Sequence, residues 1–145
     1  MRAVVQRVTR GAVTIDGATA GEIGAGLVVL LGVMEDDTEK DAAQLADKVA
    51  KLRIFPSAER PIDRDVIDAG GAVLVISQFT LCADTKKGNR PSFIRAARPE
   101  TGAPLYDRFC ARLRELGLEV ATGRFGAMMN VEIHNDGPVT IALGW

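Results

Sequence analysis

Histidine is almost missing from this 145-residue sequence: His134 is the only one, joined by two cysteines, one tryptophan and one tyrosine. Cys82 and Cys110 are too few and too far apart for a disulfide framework or a C-x-x-C redox or zinc site, so both are expected to be reduced and structural. With one imidazole and no compact carboxylate cluster around the motifs singled out below, neither a metal nor a cofactor is expected. Long apolar runs are missing too. None exceeds five residues, the length of Leu27 to Leu31, far short of the roughly 20 residues of a membrane span. The opening Met1-Arg2-Ala3-Val4-Val5-Gln6-Arg7 lacks a signal peptide's apolar stretch, so the expectation is a cytoplasmic protein with no membrane partner.

What is present is a hydrophobic fraction of 47% beside 26% charged residues. A chain of this size buries roughly 70% of its unfolded surface, enough for one core, and residues 1–145 read as a single domain. The net charge of -1 hides an asymmetry. Lys86, Lys87, Arg90, Arg95 and Arg98 follow one another with no acid between them, whereas Glu35, Asp36, Asp37, Glu39 and Asp41 crowd together. The basic segment is a candidate anion-binding surface, although a solvated loop has the same composition.

Strand-like segments open the chain at Ala3–Val8 and Ala12–Ile15, with Gly17, Gly21, Gly24 and Gly26 as hairpin punctuation. Leu27–Val33 reads as a strand buried on both faces. The Gly21-to-Gly26 run is no phosphate loop, because a β-like run and not a helix follows it. Thr38 and Asp41 resemble a capping box ahead of Ala42, Leu45, Ala46, Val49 and Leu52, which predicts a helix near 38–53. Another apolar strand is expected over Ala72–Leu81. A second helix is signalled by Thr101 or Ala103 as cap, Pro104 in its first turn, the stripe Leu105, Phe109, Leu113 and Leu116, and Gly117 as stop. Short strands at Val120, Met128–His134 and Val139–Leu143 complete an α+β fold with a largely antiparallel or mixed sheet.

Two places break these patterns. At Ser77-Gln78-Phe79-Thr80-Leu81 a buried strand accepts polar side chains, which need partners at a strand end or a ligand in a pocket. Period-two alternation would put Gln78 and Thr80 on one face, Ser77 and Phe79 on the other. Neither hydroxyl has a base to activate it, since His134 reads as a solvated strand residue. The second break is Asn135-Asp136-Gly137-Pro138-Val139-Thr140. Asn-Asp-Gly alone would make a hairpin turn; Gly-Pro adds a peptide that adopts the cis form at modest cost and could aim two carbonyls at an ammonium.

Over essentially its whole length the sequence resembles the D-aminoacyl-tRNA deacylases, also called D-tyrosyl-tRNA deacylases. The likeness rests on Met1-to-Val8, Leu52-Arg53-Ile54-Phe55, Ser77-to-Leu81, Arg90-Pro91-Ser92-Phe93, Gly123-Arg124-Phe125-Gly126-Ala127 and Asn135-to-Thr140. It departs from many relatives at Cys82 and at Ile62-Asp63. The resemblance implies a homodimeric, β-barrel-like α+β protein with two main helices. Its implied reaction is hydrolysis of the ester in D-aminoacyl-tRNA, and of glycyl-tRNA mischarged on tRNA(Ala). It further implies that Ser77, Gln78, Phe79 and Thr80 line the catalytic pocket, and that Gly137-Pro138 in cis enters the partner subunit's pocket as a chirality filter. By the same resemblance Phe125, Gly126, Ala127 and Met129 border the terminal adenosine, and Arg7, with Asn135 and Thr140, supports the Gly-Pro loop. By their charge, Lys86, Lys87 and Arg90 are expected to meet acceptor-stem phosphates. Water assisted by the RNA's terminal 2′-hydroxyl is the implied nucleophile, and no DNA partner is expected. Two alternatives remain open at this stage. One is a non-catalytic module binding the tRNA 3′ end, and the other a threonine-nucleophile esterase lacking a visible base.

Overall fold

A computed structural model describes residues 1–145. The chain runs β1 (Arg2–Ile15), β2 (Ala18–Ile23), β3 (Gly26–Gly32), α1 (Glu39–Lys51), β4 (Ala72–Ser77), a 3-10 turn (Phe79–Cys82), α2 (Pro99–Glu115), β5 (Val120–Thr122) and β6 (Asn130–Leu143). The sheet is mixed. β1 pairs antiparallel with β2, β3 and β6, while β3–β4 and β4–β5 are parallel.

β1 is the axis of the sheet. The two segments expected at Ala3–Val8 and Ala12–Ile15 are one 14-residue strand whose first half pairs with β3 and whose second half pairs with β2, with β6 along the other edge. The sheet curls until β2 meets β5. Gly21 lies at that meeting, paired with Val13 and not in a turn, and a Cβ on it would stand 2.6 Å from the Thr122 carbonyl oxygen. A side chain there would push the barrel-like sheet open. The hairpin turn is instead made by Asp16 and Gly17, both at positive φ, as a two-residue turn between twisted strands requires.

α1 begins as its sequence dictates. Thr38 Oγ1 accepts the Asp41 N–H at 3.3 Å, and the Asp41 carboxylate accepts the Thr38 N–H at 2.8 Å. Such a box contributes on the order of 1 kcal/mol. The buried face of Ala42, Ala46, Val49 and Ala50 is shallow, which lets α1 lie close against α2. α2 starts earlier than its apolar stripe suggests: Arg98 is the N-cap without a side-chain bond, Pro99 opens the helix, and Pro104 lies inside it. Its stop at Gly117, φ +90°, is as expected.

The larger core is a cluster of 19 buried residues between the helices and the convex face of the sheet, with Phe109 wholly enclosed. A smaller cluster of six, including Val13, Ile23, Leu74 and Ile76, fills the curl. Both cysteines are free and buried.

Two acidic side chains sit in the larger core in their neutral forms. Burial pushes the Cys110 thiol up to about 11 from an ordinary 9.0 and raises the Tyr106 phenol as well, while Tyr106 Oη donates to Val75 O at 2.7 Å. Folded values raised in this way give stability that is intact below the unfolded thiol's value and is lost as pH climbs through it. Urea midpoints measured from about pH 8 to 11 should therefore hold level to about pH 9 and then fall. The fall should be shallower in Cys110→Ala; an unchanged slope would clear the thiol.

Candidate functional site

The strand expected over Ala72–Leu81 stops at Ser77. Its last pairing is Ser77 with Leu31 of β3; Gln78 N–H still reaches Leu31 O at 2.8 Å, and the chain then winds into the 3-10 turn. The simple alternation of Ser77 to Thr80 is therefore lost. Winding brings the Gln78 amide onto the Thr80 hydroxyl, which accepts its hydrogen bond. It also leaves the N–H groups of Phe79 and Thr80, first in the turn, without an acceptor in the chain, as the start of any helical turn does.

This turn forms one wall of a cavity of about 570 Å³. Ser77, Gln78 and Phe79 line it on one side, Phe125, Gly126, Ala127, Met128 and Met129 on the other, with Ile76, Ala96, Ala97, Pro99 and Val131 completing it. Phe79 is exposed, and Phe93 holds it edge-to-face at 5.1 Å between ring centres. Phe125 stands against Tyr106 in the same fashion at 6.0 Å. Aromatic pairs of this geometry add roughly 0.5–1.5 kcal/mol beyond area burial, so both rings are held from behind.

No ionisable side chain lines the cavity. Its polar equipment is one hydroxyl, one carboxamide and backbone. Nothing there combines the His, Cys, Asp or Glu donors that a metal centre requires. The nearby Cys82 thiol is also quiet: burial raises its pKa, and Sγ donates to Val33 O at 3.4 Å.

The residues singled out from the sequence fall into three places. Ser77, Gln78, Phe79, Phe125, Gly126, Ala127 and Met129 meet in the cavity, with Thr80 one residue beyond it on the same turn. Lys86, Lys87 and Arg90 lie exposed on a loop whose ends are tied by reciprocal Asp84–Ser92 backbone bonds of 2.8 and 2.9 Å. Gly137 and Pro138 line no part of the cavity of their own chain. Ala96, Ala97, Pro99 and Met128 were missed, since small or flexible apolar side chains carry no chemical signature. Their one signal is position beside the Arg-Pro-Ser-Phe and Phe-Gly-Ala segments.

The Asn135–Thr140 segment is not the hairpin that Asn-Asp-Gly suggests. Gln6 pairs with Thr140 and Val8 with Asn135, so four residues of β6 bulge out opposite Arg7 alone. The strand resumes beyond the bulge, which joins the two strands expected at Met128–His134 and Val139–Leu143 into one. Asn135 Nδ2 donates to Arg7 O at 2.9 Å and to Val139 O at 3.0 Å, closing the bulge at its base. Arg7 reaches beneath it, with Nε against the Asp136 carboxylate at 3.2 Å and Nη1 donating to Ile54 O at 2.7 Å. Thr140 Oγ1 donates to Asn135 Oδ1 at 3.2 Å. The exposed Gly137–Pro138 peptide at the tip is cis.

The family model described as D-Tyr-tRNA(Tyr) deacylase matches residues 4–144. The chain belongs to that family. It is 57% identical over 141 residues to a D-aminoacyl-tRNA deacylase of Shouchella clausii, with 97% of each chain covered. A namesake from Thermus aquaticus is 53% identical over 143 residues, covering 99% of this chain and 94% of the relative. Among solved structures, the c-Myc DNA Unwinding Element Binding Protein superposes with a TM-score of 0.93 at 41% identity, covering 100% of this chain and 99% of the other. A probable eukaryotic D-amino acid tRNA deacylase shares the fold, with a TM-score of 0.83 at 20% identity over 97% of each chain. Membership of the deacylase family makes the chain a hydrolase.

His134 is exposed on β6, paired with Arg10 and outside the cavity. His134→Ala should leave the deacylation rate within about twofold from pH 6 to 8, the range in which an imidazole base would show itself. A loss of tenfold or more would mean that the imidazole reaches the reacting ester.

Proposed function

We propose that the chain hydrolyses the ester joining a D-amino acid to the 3′ end of tRNA, using backbone dipoles and a hydroxyl of the RNA itself. The carrying observation is the neutral cavity of about 570 Å³, walled by Ser77, Gln78 and Phe79, with Thr80 next along the 3-10 turn. An ester carbonyl laid against the unpaired N–H groups of Phe79 and Thr80 would find donors for the oxyanion of a tetrahedral intermediate. The Gln78–Thr80 hydrogen bond supports a positioning role for the Thr80 hydroxyl, because a carboxamide donating to it cannot take its proton. Water attacks the carbonyl carbon, its proton passes to the terminal 2′-hydroxyl acting as relay, and the 3′-oxygen leaves with a proton as the tRNA end. The products are free amino acid and tRNA. The apolar wall of Phe125, Ala127 and Met129 suits the face of the terminal adenine.

Chirality is assigned to the Gly137-Pro138 peptide of a second copy in a homodimer. An exposed tip that is braced by Arg7 and Asn135, yet lines nothing of its own cavity, supports an action in trans. Carbonyls of that tip would receive the ammonium of a D-aminoacyl group, and the L-enantiomer would turn its side chain into the backbone. Glycine has nothing to collide, so glycyl-tRNA passes. The name of the DNA-binding structural relative supports a nucleic-acid surface on this fold; the ester-sized cavity favours the hydrolase over a silent binding module.

Three variants test this reading. Single-turnover deacylation of a substrate ending in 2′-deoxyadenosine should fall by about a hundredfold or more with binding retained, the usual worth of a general base or acid. Full turnover would show that the protein supplies the base. Thr80→Ala should lose about tenfold, far from the roughly millionfold loss seen when a nucleophile is removed; a trapped acyl-Thr80 would refute the positioning role. At Gly137, φ is +124° and a Cβ would stand 2.9 Å from Val139 Cγ2 and 3.0 Å from Val139 N. Gly137→Ala should therefore shift the tip and slow D-tyrosyl-tRNA hydrolysis, with sedimentation and circular dichroism unchanged. An intact variant with wild-type D- and L-rates would remove the backbone filter.

A further inference from the structure

On the far side of the 3-10 turn lies a second pocket of about 240 Å³, lined by Arg2, Lys86, Arg95 and Trp145 together with Cys82 and Asp84. Trp145 is 63% exposed. The Arg2 guanidinium lies over its ring, 5.2 Å from the centroid, and Nη1 donates to Leu81 O at 2.8 Å. The indole is thus fastened through Arg2 to the same turn that carries Phe79 and Thr80. None of Arg2, Lys86 and Arg95 takes part in any ion pair of the chain. The one acid in the lining, Asp84, is already engaged through Oδ1 by the Lys86 N–H at 2.9 Å.

An open aromatic face beside uncompensated cations is the chemistry that holds an unpaired nucleotide, with the base stacked and its phosphate paired. The pocket also adjoins the cavity described above. Arg95 lines the one, while its neighbours Ala96 and Ala97 line the other, and the turn Phe79–Cys82 contributes to both walls. A strand whose end fills the larger cavity has this pocket beside its path.

We propose that the Trp145 pocket binds a second unpaired nucleotide of the acceptor end of tRNA, its base on the indole and its phosphate on Lys86 and Arg95. The proposal rests on the tRNA reading of the preceding subsection and adds a subsite to it. Arg2 acts as the positioning residue for the ring.

Trp145 is the only tryptophan, so its emission reports on this pocket alone. Titration with an uncharged RNA minihelix bearing a four-nucleotide 3′ overhang should give saturable quenching, and the blunt-ended minihelix should give none. Trp145→Ala and the pair Lys86→Ala with Arg95→Ala should each raise the half-saturating concentration of labelled overhang RNA by about tenfold, the worth of one stacked base or of two phosphate contacts. Trp145→Phe should recover part of the loss. The double variant should also flatten the log–log salt slope by about 0.7, the value for one phosphate on a single strand.

Overhang RNA that binds and D-aminoacyl-tRNA that is hydrolysed, with emission unmoved, would overturn the subsite while leaving the deacylase reading intact. Absence of both RNA binding and hydrolysis would overturn that reading and the subsite with it. Equal quenching by single-stranded DNA of the same sequence would remove RNA as the occupant. Quenching by adenosine monophosphate or inorganic phosphate at the same concentration as the minihelix would mark a free-nucleotide or anion site and would equally overturn the proposal.

Discussion

Arg7 is the one charged residue among the buried residues of the fold, and the bulge of β6 stands on it. Removing a guanidinium from water costs several kcal/mol unless its donors are met. Here Nη1 meets the Ile54 carbonyl just after α1, and Nε faces both the carbonyl and the carboxylate of Asp136. Charge-assisted bonds of this kind are roughly twice as strong as neutral ones. Asp136 is half-exposed, so water screens its share of the attraction, and the bond to Ile54 O carries more of the compensation. The consequence is structural: the end of α1, the middle of β1 and the tip of the bulge hold one geometry because they answer to one side chain.

The cavity is built on the opposite policy. Its walls exclude charge, and its two rings are steadied from outside by Phe93 and Tyr106. With no side chain able to change protonation, what the cavity offers a ligand is its shape and dipoles whose direction the backbone sets. On the proposed reading, ester hydrolysis in such a place depends on what the substrate brings. The basic residues stand apart from this cavity, on the loop Lys86–Arg90 and around Trp145.

Elements whose causes are local were legible in the sequence. Thr38 and Asp41 specify the start of α1, Gly117 the end of α2, and the apolar run at Leu27 the buried β3. Errors arose where distant partners decide. Ser77 to Leu81 has strand-like composition, but β3 ends at Gly32 and leaves the segment little to pair with, so it winds up. Asn135 to Pro138 carries hairpin chemistry, yet β1 lies alongside both flanks and keeps β6 in line. Gly21 looks like turn punctuation and is a point of close approach between strands. The chemical residues of the cavity were readable because polar side chains broke an apolar pattern. Ala96, Ala97 and Met128 broke nothing, and only the folded chain reveals them.

β1 is hydrogen-bonded along one side to β3 and β2 and along the other to β6. The first strand is therefore completed by the last. During synthesis its second edge stays open until residues up to Leu143 have left the ribosome, and an open edge is a template for pairing with other chains. The Arg7–Asp136 contact lies on this late seam. Any nascent chain stalled before β6 would have the cavity-forming turn already translated but no bulge to complete the arrangement. The cavity's wall at Val131 and the brace beneath the bulge would thus be acquired together in the final step of assembly, when the first strand and the last close on each other.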